Sequence, residues 1–186
     1  MPIGAVAAVS HIAAQVLIRQ PNRVLDLGMG TGFYGAVVRQ WVDEGVAPWR
    51  TWLAGVEVYS TYRNPLWDLY NIVYGMTIEE YLSKHLEPFD CVLFNDVLEH
   101  FDHAMGESLL RYLPQLVAPG GVLFVNTPAH FYPQEAAHGN EFERHRSLWT
   151  ADEFKALGYE LLLDGTEPQF NCIPTLLACW QAPVCV

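Results

Sequence analysis

Residues 24–35 read VLDLGMGTGFYG, and few folds accommodate such a stretch. An apolar run stops at one glycine, passes two more, and restarts as an amphipathic pattern. A strand, a tight loop and a helix N-terminus satisfy it. Glycine lets the backbone pass close to a ligand, and the helix presents N–H groups to whatever lies there. Gly30, Gly32 and Gly35 also spell G-x-G-x-x-G, the dinucleotide pattern.

The rest of the chain continues in the same vein. Apolar runs at 23–28, 51–58, 72–75, 89–96 and 122–127 alternate with helical stretches at 33–45, 77–86 and 103–117. Thr77 and Glu80 form a capping box for the second of these helices. FDCVLFND (89–96) is almost wholly apolar, as a central strand covered on both faces must be. Pro119-Gly120-Gly121 reads as a turn, and Thr150 as the N-cap of a helix at 151–157. YELLLDG (159–165) and TLLACWQA (175–182) read as a closing pair of strands. The pattern is that of an α/β protein with a mostly parallel sheet between helical layers.

With 186 residues, the chain suits one domain and one core, here residues 1–186. Its formal net charge of −11 rests on only ten Lys and Arg, so nucleic acid is a disfavoured partner. Residues 1–20 read as an amphipathic helix packed on the sheet. No apolar run approaches the roughly 18 residues that span a bilayer. Cys91, Cys172, Cys179 and Cys185 form no C-x-x-C pair, which suits free thiols in a cytoplasmic setting. The sequence specifies no oligomeric state.

Asp26 bears on what the glycine loop holds. It stands two positions before Gly28, at the mouth of the loop, where a carboxylate opposes a diphosphate. It suits a ligand carrying an ammonium and a sulfonium, and S-adenosylmethionine carries both. Glu57, at the end of the second strand, can take the ribose hydroxyls of either kind of cofactor.

VLDLGMGTGFYG, GVEV, FDCVLFNDVLEHF and APGGVLFVNTP together resemble the successive motifs of the class I S-adenosylmethionine-dependent methyltransferases. The resemblance runs over roughly residues 20–165, in the family's order and spacing. It implies a Rossmann-like three-layer sandwich with a seven-stranded sheet whose last strand is antiparallel. By position, Asp26, Gly28, Met29, Gly30 and Gly32 would hold the methionine moiety and Glu57 the ribose. Met76 and Thr77 would lie at the adenine, with methionine where the family usually has an acid. Asn95 and Asp96 would face the methyl donor.

NDVLEHFDH (95–103) gathers polar groups beyond the fourth strand, where ligands sit in open parallel sheets. Asp96, Glu99 and His100 share one face if a helical turn follows. The polar segment 128–149 is too long for a mere connection and suits a loop covering the substrate of a small-molecule acceptor site. It carries His130, His138 and His145, of which His145 is the candidate base or anchor. His145, His100 and Asp96 are thus the catalytic candidates. The main reading has no metal. A secondary one comes from D-x-x-E-H with a later histidine before Trp-Thr, an arrangement similar to that of small-RNA 2′-O-methyltransferases and, in part, ubiquinone-type O-methyltransferases. It implies Mg²⁺ or Mn²⁺ on Asp96, Glu99, His100 and His145. Tyr59, Tyr62, Trp67, Tyr70 and Trp149 are expected to be packing residues. Two alternatives to methyl transfer are a nicotinamide-dependent oxidoreductase, resting on the three glycines, and a non-catalytic S-adenosylmethionine-binding module.

Overall fold

The computed structural model describes residues 6–136, 139–166 and 174–184. Seven strands form one sheet: β1 (Arg23–Leu27), β2 (Trp52–Val56), β3 (Ile72–Tyr74), β4 (Phe89–Asn95), β5 (Val117–Pro128), β6 (Glu160–Asp164) and β7 (Thr175–Gln181). Their order is β3-β2-β1-β4-β5-β7-β6. The first five are parallel neighbours, and β7 runs antiparallel to both β5 and β6. The chain winds outward from β1 to β3 and returns to start again at β4 on the other side of β1. That reversal opens a crevice above β1 and β4, where an α/β sheet of this kind binds ligands.

Strand periodicity sorts the core into two layers. Leu25, Leu27, Val92, Phe94, Leu123 and Val125 face one way, onto α3 (Ile78–Leu82), α4 (His103–Tyr112) and α5 (Ala151–Ala156). Val24, Cys91, Leu93, Val122 and Phe124 face the other way, onto α1 (Val6–Arg19) and α2 (Phe33–Val42). Because side chains alternate along a strand, Asp26 falls on the face of Val24, and Asn95 on the face of Leu93. Two polar groups far apart in sequence therefore reach the same side of adjacent strand ends.

Both expected caps form. Thr77 and Thr150 each make a capping box, with Glu80 and Glu153 respectively. The helix expected over 103–117 ends at Tyr112 and tightens into a 3₁₀ turn at Leu113–Leu116, where Pro114 cannot donate to the preceding turn. Pro119-Gly120-Gly121 lies inside β5, not before it. Pairing with β4 jumps from Phe89–Val117 to Cys91–Val122, so the extra residues bulge out of a continuous strand. Between β2 and β3 the chain forms 3₁₀ turns at Ser60–Tyr62 and Pro65–Leu69. Among the described residues, no helix is long and apolar enough to cross a membrane. Cys91 and Cys179 are buried free thiols, whereas Cys172 and Cys185 lie outside the described residues.

Candidate active site

A cavity of about 800 Å³ occupies the crevice above β1 and β4. Asp26, Gly28, Met29, Gly30, Glu57, Met76, Thr77 and Asn95 line it on one side, and Asp96, His100 and His145 on the other. Gly32 does not line it. That residue adopts φ +86° as the N-cap of α2, turning the chain into the helix. Gly28, at φ +71°, passes so close to Val97 that a β-carbon there would meet its Cγ2 at 2.5 Å. Met29 contributes backbone to the cavity, while its side chain packs in the core over Gly55. Thr77 Oγ1 is engaged as the cap of α3, accepting from Glu80 N at 3.2 Å. Met76 packs against the core below it.

Gly35, the third glycine of the dinucleotide pattern, serves a purpose of its own. A β-carbon there would stand 2.3 Å from the Tyr70 ring. Its N–H donates to the Tyr70 hydroxyl at 3.0 Å, and that hydroxyl donates to Asp26 Oδ2 at 2.6 Å. The glycine admits the tyrosine that orients the acid. Burial pushes the Asp26 carboxyl up to about 7, with the Tyr70 hydrogen bond pulling against it and Glu57 adding repulsion. The acid thus stands at the edge of neutrality.

Glu57 is buried and braces the loop, accepting from Gly30 N at 2.9 Å and from Tyr59 N at 2.7 Å. Burial raises its carboxyl as well, against those backbone donors. Each oxygen keeps lone pairs for a further donor. Asn95 is only 7% exposed, yet among the described residues neither Nδ2 nor Oδ1 of its side chain has a protein partner. The buried Tyr34 hydroxyl, on the same cavity, has none either. Such groups are costly to bury unpaired, and these line the cavity.

On the far side, Asp96 adopts φ +53°, and Leu98–His100 forms a 3₁₀ turn. The positive φ takes Asp96 out of the helical turn that would have put it on one face with Glu99 and His100. Its Oδ1 accepts from Asn126 Nδ2 at 2.8 Å. Glu99 is 4% exposed and accepts from Thr127 Oγ1 at 2.9 Å. Burial, reinforced by Asp96, holds its carboxyl well above the usual range.

His145 reaches this corner from 45 residues away in sequence, and the reason is backbone pairing. Arg146 N and Ser147 N donate to the Glu99 carbonyl at 2.7 and 3.2 Å. The two imidazoles then face each other with centroids 5.1 Å apart. His145 Nδ1 lies 2.6 Å from the Tyr132 carbonyl and His100 Nδ1 3.3 Å from that of Arg144. A carbonyl only accepts, so each Nδ1 carries the proton and each Nε2 keeps its lone pair. Burial pushes His100 down to about 4 and lowers His145 too. Both rings are neutral bases at ordinary pH.

Glu99, His100 and His145 offer ligand atoms all within 4.8 Å of one another, a set able to hold a metal ion. Asp96 is not part of that set. His130 does not line the cavity, and His138 lies outside the described residues. Trp149 is buried, stacked on His103 at 4.2 Å, and pins the end of the 128–149 segment. Tyr62 packs against the core layer of α1 and α2, as expected, and has a second role. Its hydroxyl donates to Glu143 Oε1 at 2.6 Å, tying the 128–149 segment to the loop after β2. Sequence reasoning also missed Tyr34 and the Tyr70–Asp26 bond. Gly35 hinted that something bulky packs on it, without saying what.

A switch-point crevice with a glycine loop, a buried acid at its mouth and a second acid after β2 defines a nucleoside-binding α/β protein. Residues 5–161 match the family described as methyltransferase domain, and the chain belongs to that family. It is similar to a protein-L-isoaspartate O-methyltransferase of Shewanella loihica, 29% identical over 119 residues, 63% of this chain and 51% of that one. The chain thus spans about half the length of that relative. Its fold is similar to the 1,6-didemethyltoxoflavin-N1-methyltransferase of Burkholderia thailandensis, solved with bound 1,6-didemethyltoxoflavin and S-adenosylhomocysteine. There the TM-score is 0.66 at 17% identity, covering 95% of this chain and 79% of that one. It is similar also to the N-methyltransferase NodS of Bradyrhizobium japonicum, with TM-score 0.58 at 15% identity over 94% and 96% of the two chains.

Proposed function

We propose that this protein transfers a methyl group from S-adenosylmethionine to an oxygen or nitrogen of a small-molecule acceptor. The observation that carries it is one continuous cavity joining two unlike ends. At one end stand a buried acid and an unpaired amide, at the other two neutral imidazoles. The residues present fit the cofactor. Asp26 meets its positive charge, Asn95 and Tyr34 offer unpaired polar atoms, Glu57 takes ribose hydroxyls, and Met76 and Thr77 border the base. When bound, S-adenosylmethionine supplies an activated methyl carbon with its own leaving group. What remains for the protein is alignment and, for a hydroxyl acceptor, removal of a proton. His145 Nε2 accepts that proton. His100 stands beside it as a second uncharged base, and Asp96 supplies negative charge near the methyl end. The 128–149 segment covers the acceptor, tethered through Glu143 to Tyr62.

Calorimetry with S-adenosylmethionine, S-adenosylhomocysteine and NADH tests this reading. Preferential nicotinamide binding would return the oxidoreductase, which Asp26 opposes at the mouth of the loop while Glu57 suits either cofactor. Cofactor binding without turnover on any acceptor would leave a binding module. The buried free thiols of Cys91 and Cys179 support a reducing, cytoplasmic setting.

The Glu99–His100–His145 set favours a second reading, in which Mg²⁺ or Mn²⁺ activates the acceptor. The donors fit such an ion, with two free Nε2 atoms and one carboxylate that the ion would deprotonate. Titration of Mn²⁺ by calorimetry, in wild type and in His145→Ala, decides it. Binding that vanishes in the variant supports the ion, and no binding to either leaves His145 as a base.

A further inference from the structure

The lining of the cavity is uneven in polarity and in charge, and both point to the kind of molecule that enters beside the cofactor. Phe33, Met105, Tyr132 and Phe142 line it while staying 46%, 40%, 52% and 52% exposed. Large apolar side chains scattered singly over a surface carry no message, but several lining one cavity favour contact with a ligand over water. Three of the four are rings, which suit a flat partner with a π-face.

The charges sort just as sharply. Asp96, Asp102 and Glu143 line the acceptor side. Among the described residues, Arg146 is the only Lys or Arg that lines the cavity, and its guanidinium is already committed. Nη1 donates to the His100 carbonyl at 2.7 Å and Nη2 to the Glu141 carbonyl at 3.1 Å. A site for a carboxylate or phosphate presents a cationic fork toward it. Here both arms of the fork are held by backbone carbonyls, and acids outnumber the one cation.

The third constraint is the imidazole pair. Two Nε2 lone pairs are useful to an acceptor that has a proton to give up, and an ionised carboxylate has none.

We infer that the acceptor is an uncharged, ring-bearing small molecule methylated on a hydroxyl, and that anionic acceptors are excluded by charge. This rests on the methyl-transfer reading above and narrows its substrate class. The step balances without a further reagent. The hydroxyl oxygen bonds to the methyl carbon while the sulfur–carbon bond breaks and leaves its electron pair on sulfur. The hydroxyl proton passes to His145 Nε2.

Three probes with one ring system and different head groups isolate the charge: 2-naphthol, 2-naphthoic acid and 2-naphthyl phosphate. Each is titrated calorimetrically into the full chain loaded with S-adenosylhomocysteine. The naphthol is expected to bind at least tenfold more tightly than either anion at low salt. The gap should narrow as salt is raised, because the exclusion is electrostatic. Phe142→Ser is expected to weaken naphthol severalfold and leave S-adenosylhomocysteine affinity unchanged. Anions binding as tightly as the naphthol, or none of the three binding, would overturn the inference. Failure of S-adenosylhomocysteine itself to bind would fall on the methyl-transfer reading instead. The same series titrated into the unloaded protein would still read the preference for charge.

Discussion

The Tyr70 hydroxyl donates to Asp26 Oδ2 across 2.6 Å and itself accepts from the Gly35 amide at 3.0 Å. A glycine of the nucleotide loop, an aromatic from the turn after β2 and the acid of β1 thus form one chain of hydrogen bonds. It orients a carboxylate that burial has brought to the edge of neutrality. The acid is poised to ionise when a positive ligand arrives.

Cofactor affinity should therefore depend on pH through Asp26. In the unliganded protein its carboxyl holds a proton up to about 7. A cation beside it favours the ionised form, so binding below that pH expels the proton and is weakened by the cost of doing so. Affinity for S-adenosylmethionine is expected to rise as pH approaches about 7 and to level off above it. Asp26→Asn should lose that dependence, along with ~1–3 kcal/mol of affinity. Calorimetry across the range checks both. A wild-type affinity flat with pH would detach Asp26 from the ligand.

The same proton acts on stability in the opposite direction. A carboxyl whose folded value lies above its unfolded value stabilises the fold at low pH, and that contribution is lost as pH rises through the folded value. For Asp26 the decline runs from about 4 toward about 7. Urea unfolding of wild type and Asp26→Asn without cofactor should differ more at the upper end of that window than at the lower. Identical pH trends in the two proteins would refute the assignment.

Gly35→Ala sets a β-carbon 2.3 Å from the Tyr70 ring. The tyrosine is pinned by the strand-end acid and buried against the core, so it has little room to withdraw. A loss of about 1–3 kcal/mol in denaturant stability is expected, as for other overpacked cores. Cofactor affinity should fall too, because Asp26 loses its orienting partner. Tyr70→Phe in the same background should restore little of that affinity, since the hydroxyl and not the ring bulk orients the acid.

His145→Ala should leave S-adenosylhomocysteine affinity intact and reduce kcat by about 10²–10⁴, the usual worth of a positioned general base. Burial keeps His100 uncharged down to about 4, so protonation of that ring should not limit turnover above about pH 5. A variant with unchanged kcat would show the 128–149 segment to be a cover without a chemical role.

Tyr62→Phe removes the donor that holds Glu143 at 2.6 Å. With the tether lost, the covering segment closes less often. The acceptor KM is expected to rise by roughly tenfold, for about 1.4 kcal/mol of lost closure, with the cofactor Kd unchanged. A rise in cofactor Kd as large as that in KM would instead place Tyr62 in the nucleoside cradle.

Much of this was legible in the chain before any coordinates. Apolar runs closed by glycine marked the strands, Thr77–Glu80 and Thr150 marked helix starts, and both acids flanking the glycine loop stood at strand ends. These features are local: dihedral freedom, capping geometry and side-chain alternation act within a few residues, so a few residues suffice to read them. What a side chain touches is a different matter. Gly35 reads as the last glycine of a dinucleotide pattern and proves to be a seat for Tyr70. Asp96 was expected on a helical face with Glu99 and His100 and is turned out of it by a positive φ, while His145 joins that pair through backbone bonds to Glu99. Sheet order, the bulge within β5 and the docking of the 128–149 segment bring these groups together. Each depends on burying the two core layers as a whole, a cooperative condition that no single stretch of sequence carries.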